Sequence, residues 1–173
     1  ALQDRALSPI WGWWGHAVPF RFDLDYRPAN GIRRFLAGSP PVLSLAAIET
    51  SVDVLREAGI ERLREKSVAL TDYLIYLTDT ILAPLGFTVG SPRDSGRRGS
   101  HVSIRHPEGY RISRALTEQM KVIPDFREPD NIRLGVAPLY TRFVDVWEAI
   151  DRIRRVVEER LYEAYSLERE EIT

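Results

Sequence analysis

Residues 60–86 read IERLREKSVALTDYLIYLTDTILAPLG, and the fold is decided by how this stretch is read. Ile60, Leu63, Ser67, Leu70, Leu74, Leu77 and Ile81 return at three- and four-residue steps, the period of an amphipathic helix. Roughly 23 residues at about 1.5 Å each predict a rod of about 35 Å. A helix of that length bridges two lobes or forms the spine of one. Pro84 and Gly86 end it.

Downstream the pattern changes. Residues 87–89 predict a short strand, and residues 91–99 (Ser-Pro-Arg-Asp-Ser-Gly-Arg-Arg-Gly) a turn-rich loop whose arginines face solvent or, alternatively, an anion. Residues 100–106 alternate, with Val102 and Ile104 on one side. His101 and His106 differ by an odd number, so a strand would point them to opposite faces, and they are not a metal pair. A helix over about 110–120, a short strand at Val122-Ile123, a turn at residues 128–131 and a strand over 132–136 follow. Thr141 is a candidate cap for a last helix with Phe143, Val146, Ile150, Ile153 and Val157 as its stripe. A charged tail from Glu163 is expected to fray. Helix, strand, strand, helix, strand, strand, helix describes an α+β lobe, an antiparallel sheet covered by helices.

Upstream, Leu45, Ile48, Val52 and Leu55 predict another helix, broken at Ala58-Gly59. Before it stands Arg33-Arg34-Phe35-Leu36-Ala37-Gly38-Ser39-Pro40-Pro41. Gly38 allows a turn at positive φ, and the two prolines stiffen the corner. Ser39 is displayed there, either as a helix cap or as one donor of an anion site. Residues 1–30 hold Trp11, Trp13, Trp14, Phe20, Phe22 and Tyr26 among glycines, a loop that buries rings against its own core or a partner.

The 173 residues suffice for a real core, and the net charge of −1 argues against a partner bound through nucleic-acid phosphates. Without cysteine there are no disulfides, thiolate metal sites or cysteine nucleophiles. Asp4 and Arg5 argue against a signal peptide, and no apolar run near the length of a membrane span stands out. Only two of the 24 basic residues are lysines, Lys66 and Lys121.

Four motifs resemble one family. Arg34-Phe35-Leu36-Ala37-Gly38-Ser39-Pro40-Pro41 resembles the corner of class V aminotransferase-like enzymes, which bind pyridoxal phosphate. Asn131-Ile132-Arg133-Leu134-Gly135-Val136-Ala137-Pro138-Leu139-Tyr140-Thr141 resembles their C-terminal strand with its carboxylate-binding arginine. Gly12-Trp13-Trp14-Gly15-His16 and Arg98-Gly99-Ser100-His101-Val102-Ser103-Ile104-Arg105-His106-Pro107-Glu108-Gly109-Tyr110 are similar to kynureninase stretches. The likeness runs from about Leu7 to about Ile153.

The resemblance implies the following. The fold is the C-terminal small domain of fold type I pyridoxal-phosphate enzymes. Residues 1–42 are the tail of a large cofactor domain and a dimer and active-site segment, 43–85 are connecting and bridging helices, and 86–173 are the small α+β domain. The activity is hydrolysis of kynurenine or 3-hydroxykynurenine to alanine and an anthranilate. Trp13 and Ser39 meet the cofactor phosphate, with Ser39 reaching across a dimer, while Arg133, Trp14 and His16 meet the substrate, Arg133 at its α-carboxylate. Without the resemblance Arg133 reads as an ordinary strand-edge charge.

The lysine that anchors the cofactor is expected upstream of Trp13, so no catalytic residue is assigned and the chain alone is expected to be inactive, with no covalently bound cofactor. Three readings stay open: part of a working enzyme, a non-catalytic binding or dimerisation module, or one chain of a split enzyme. The expected partners are a second copy or the upstream half, in the cytoplasm, with neither nucleic acid nor membrane.

Overall fold

The computed structural model describes residues 2–6 and 8–168. Ala1, Leu7 and residues 169–173 lie outside it, and with them the start of the resemblance at Leu7 and the end of the charged tail. The chain divides into two compact units, Ala1–Val54 and Leu55–Thr173.

In the first unit the one-turn helix α1 (Leu2–Arg5) is followed by 3-10 turns at Trp13–Gly15, Pro19–Arg21 and Gly31–Phe35. Helix α2 (Val42–Ala58) then spans the division between the units. Its first main-chain bond runs from the Leu45 N–H to the Pro41 carbonyl, so Pro41 opens the helix and Ser39 is not its cap. Nor does Gly38 use the left-handed region expected of it. Among the described glycines only Gly31, Gly59 and Gly86 have positive φ. Gly59, at φ 83°, makes the break between α2 and the next helix.

The second unit is built on α3 (Ile60–Leu77), which continues through a π turn (Thr78–Leu82) and a 3-10 turn (Ala83–Leu85). The pitch widens where hydroxyls compete for the ladder: Thr78 Oγ1 donates to the Leu74 carbonyl at 2.8 Å and Thr80 Oγ1 to Tyr76 at 2.9 Å. By length and mean hydropathy (1.2) alone the stretch Ile60–Leu85 is long and apolar enough to cross a bilayer, a run that the sequence reading did not single out. Here it serves as a core helix, with Leu70, Leu74 and Leu82 almost wholly buried.

Four strands, β1 (Thr88–Val89), β2 (His101–Arg105), β3 (Asp125–Arg127) and β4 (Asn131–Gly135), form an antiparallel sheet in the order β1-β2-β4-β3. The third strand is displaced from its expected place at Val122-Ile123, where the Val122 N–H instead closes the end of the preceding helix on the Leu116 carbonyl. Helices α4 (Gly109–Gln119) and α5 (Phe143–Glu158) join α3 over one face. Val102, Ile104, Ile132 and Leu134 point into that core. The opposite face carries Ser103, Arg105, Asn131, Arg133, Asp125 and Arg127, the clean division of an antiparallel sheet with one solvated side.

Two further expectations change. Helix α5 is opened by Asp145, which accepts the Arg142 N–H at 2.8 Å and its guanidinium, whereas Thr141 Oγ1 accepts from the Ala137 N–H. The chain at Glu163 is a 3-10 turn (Leu161–Ala164), and the following Tyr165 carbonyl takes the Arg111 Nε–H at 2.8 Å, so this part of the tail is docked and not frayed.

The arginine loop also departs from a solvated face. Arg93 forms a two-pronged pair with Asp79, at 2.7 and 2.8 Å, which holds the Asp79 carboxyl below its ordinary range. The Arg98 side chain is only 2% exposed; it donates to the Pro92 and Arg93 carbonyls and to Asp72. Arg97 alone of the three is exposed without a side-chain contact among the described residues. Replacing Arg98 by Met should strand two loop carbonyls and cost about 2 kcal/mol of unfolding free energy. Arg97→Met should stay within about 0.5 kcal/mol. Equal urea midpoints for the two variants would refute the clamp.

His106 joins the end of α3 to the turn before α4. Its ring lies 4.6 Å from that of Phe87, and Nδ1 accepts the Glu108 N–H at 3.0 Å. Burial holds its pKa below the ordinary 6.5, against a Leu85 carbonyl that favours the charged ring. The unfolded chain therefore takes up this proton first. Stability should fall as pH drops through about 6.5 towards the lower folded value. His106→Asn keeps an acceptor for Glu108 and should flatten that slope in pH-dependent unfolding; an unchanged slope would rule His106 out as its source.

Candidate functional site

The candidate residues fall into two groups, one in each unit. In the first unit the Gly12–His16 motif carries two glycines, Gly12 and Gly15, that have no room for a side chain. A Cβ on Gly12 would collide with the backbone of Ala37, and one on Gly15 would sit 2.8 Å from the Arg34 carbonyl oxygen and 2.8 Å from the Tyr26 hydroxyl. These close approaches lay the tryptophan segment directly on the chain that leads to Ser39. Arg34 ties the same corner together, with its Nε–H on the Ala29 carbonyl at 3.1 Å.

Trp13 and Trp14 meet edge to face at 4.6 Å, and both pack on Phe20, at 5.5 and 6.0 Å. Trp14 is half-buried; Trp13 keeps 46% of its surface exposed. Trp13, His16, Asp23 and Tyr26 help to line an open cleft of about 380 Å³. His16 is buried, and backbone occupies both of its ring nitrogens. The Val18 N–H donates to Nδ1 at 3.0 Å, which leaves Nε2–H to donate to the Asp25 carbonyl at 3.3 Å. Bonds from Ala17 N–H to Arg27 and from Ala29 N–H to Gly15 close a small hairpin around the ring. His16 thus shapes the loop through the main chain. Ser39 is exposed on the irregular segment before α2.

A phosphate, as in the cofactor implied by the resemblance, asks for neutral or cationic donors. The Trp13 indole N–H and the Ser39 hydroxyl are of that kind, and neither has a hydrogen-bond partner among the described residues. They fit the phosphate end only. Lys66 is half-buried on α3, and Lys121 lies in the turn after α4 with Nζ 3.4 Å from the Glu118 carbonyl. Among the described residues no His, Cys, Asp and Glu group could hold a metal ion.

In the second unit Arg133 stands on the polar face of the sheet, opposite Ser103 of β2 and Asp125 of β3. Its side chain is 39% exposed and one Nη donates to Asp125 Oδ2. The guanidinium keeps a second edge for a planar anion, the arrangement a carboxylate takes up through two parallel bonds. Asp125 was invisible to sequence reasoning because its strand was placed three residues too early; the Asp-x-Arg alternation at 125–127 was the available signal.

Comparison with known proteins then bears on these residues. Residues 63–153 match the family model described as the kynureninase C-terminal domain. The chain is 41% identical over 161 residues to a kynureninase of Pseudomonas fluorescens, covering 93% of this chain and 38% of that protein. It is 40% identical over 163 residues to one of Burkholderia mallei, covering 94% and 39%. The chain therefore spans under two fifths of the length of these relatives. Among solved structures, an alanine–glyoxylate aminotransferase from Nostoc sp. superposes with a TM-score of 0.55 at 15% identity, over 73% of this chain and 34% of that one. That likeness is one of fold.

Proposed function

This chain belongs to the kynureninase family, and on that premise we propose that it acts as the C-terminal portion of a pyridoxal-phosphate-dependent hydrolase. The reaction is cleavage of L-kynurenine or 3-hydroxykynurenine between Cβ and Cγ, which yields L-alanine and an anthranilate. One observation carries this reading: 40% identity extends over 94% of the chain, so both groups of candidate residues fall within the matched length.

The roles follow from the chemistry of each side chain. Arg133 offers its open edge to the substrate α-carboxylate, a task suited to a planar fork that never loses its charge. Trp14 supplies an aromatic wall for the substrate ring. Trp13 and Ser39 donate to the cofactor phosphate. His16 serves the substrate side by holding the loop in shape, since its own nitrogens are engaged by the main chain. When bound, the cofactor supplies the electron sink that C–C cleavage needs. Its covalent anchor is assigned to a lysine upstream of this portion, so the chain by itself is inactive. It works in the cytoplasm, paired with a second copy or with the upstream half.

A specific observation keeps the association module in view as an alternative. Trp11, Phe20, Phe22 and Leu24 are 61%, 66%, 82% and 104% exposed, an apolar surface that suits a partner whether the assembly is catalytic or not.

Incubation of the 173-residue chain with pyridoxal phosphate, borohydride reduction and peptide mapping tests the assignment of the anchor. No stoichiometric adduct is expected. A single adduct on Lys66 or Lys121 would mean that this chain builds a cofactor site of its own, and the proposal would fall.

A further inference from the structure

We infer that Asp125 is a positioning residue for Arg133, fixing the guanidinium so that its open edge meets a carboxylate; this rests on the reading of Arg133 as the carboxylate clamp. The two side chains are direct cross-strand partners in the β3–β4 register, so the sheet and not a chance rotamer brings them together. One Nη of Arg133 donates to Asp125 Oδ2. The Nε–H and the other Nη of Arg133 meet no acceptor among the described residues.

A carboxylate beside the clamp would ordinarily repel an incoming carboxylate. Arg127, two residues along the same strand and on the same face, offsets that repulsion. Its Nε and Nη2 lie 3.2 and 3.1 Å from the same Oδ2. One oxygen is thus shared by two guanidiniums. Across this face Arg105, Arg127 and Arg133 stand against Asp125 and Asp130, which leaves one positive charge over, the complement of a monoanion. The approach is open as well. Ser103 turns its hydroxyl to Asn131 Oδ1 at 2.9 Å, and a Cβ on Gly135 would meet nothing within 4 Å.

An arginine side chain carries several rotatable bonds, and the entropy of fixing them falls on ligand binding unless a neighbour has fixed them first. Asp125 performs that task. Its use to the clamp is geometric, so an uncharged acceptor of the same shape should replace it.

The test uses the whole 173-residue chain with 15N-labelled arginine. L-Alanine serves as the α-carboxylate ligand and L-alaninamide as its carboxylate-free control, and the shift of the Arg133 Nε–H signal is followed. In the unaltered chain alanine should shift that signal and alaninamide should not. Asp125→Ala should weaken the alanine response roughly fivefold and average the Arg133 Nη–H signals, as expected when a preorganised group is released. Asp125→Asn should stay within about twofold of the unaltered chain, because the acceptor survives. An alanine response at the Arg133 Nε–H that is unchanged or tighter in Asp125→Ala would overturn the positioning role and leave the clamp standing. No response to alanine in the unaltered chain, or one that alaninamide reproduces, would overturn the clamp itself and the inference with it.

Discussion

The pairing of β2 with β4 is the constraint on which the second unit depends. Five consecutive residue pairs, from His101 opposite Gly135 to Arg105 opposite Asn131, fix which side chains face the helices. Val102, Ile104, Ile132 and Leu134 go inward and are almost wholly buried. By the same alternation Ser103, Arg133 and their neighbours must go outward. A slip of one residue would exchange the two sets, placing a guanidinium in the core and apolar side chains in water. The energy that holds the core is therefore also what aims Arg133. Because β3 pairs with β4 on the other side, the same register delivers Asp125 to Arg133.

A different constraint governs the first unit. There the ordering comes from backbone approaching backbone at Gly12 and Gly15, and from a histidine whose two nitrogens staple a hairpin. Little of this unit is core: among its described residues Ala29 and His16 are the buried side chains outside glycine, while large aromatic rings remain open. A segment that spends its glycines on close packing yet leaves tryptophan exposed is shaped to present those rings to something else. The sheet unit offers charge and geometry, whereas this unit offers ring faces and neutral donors.

Much of the second unit was legible in the sequence because its signals are local and periodic. The stripe from Leu63 to Ile81, the alternation at Val102 and Ile104, and the break at Gly59 all became the elements they announced. What escaped depends on partners distant in sequence. Arg98 reads as one more loop arginine until Asp72 and the Pro92 carbonyl are seen around it. The strand at Asp125–Arg127 has no apolar alternation to reveal it, since a lone Phe126 faces the helices. Ser39 resembled a cap because a hydroxyl before a helix commonly is one, but two prolines move the helix start beyond its reach. Arg133 was found through its motif; that its other face is held by Asp125 could only come from the register.

The measurement that tests the account most directly is release of anthranilate from kynurenine, followed by its fluorescence. It would compare the isolated chain with the same chain co-expressed with the upstream portion of the Pseudomonas fluorescens relative. Release is expected from the combined polypeptides and none from the chain alone. Turnover by the isolated chain would contradict it, as would a folded, combined assembly that binds the cofactor and leaves kynurenine intact.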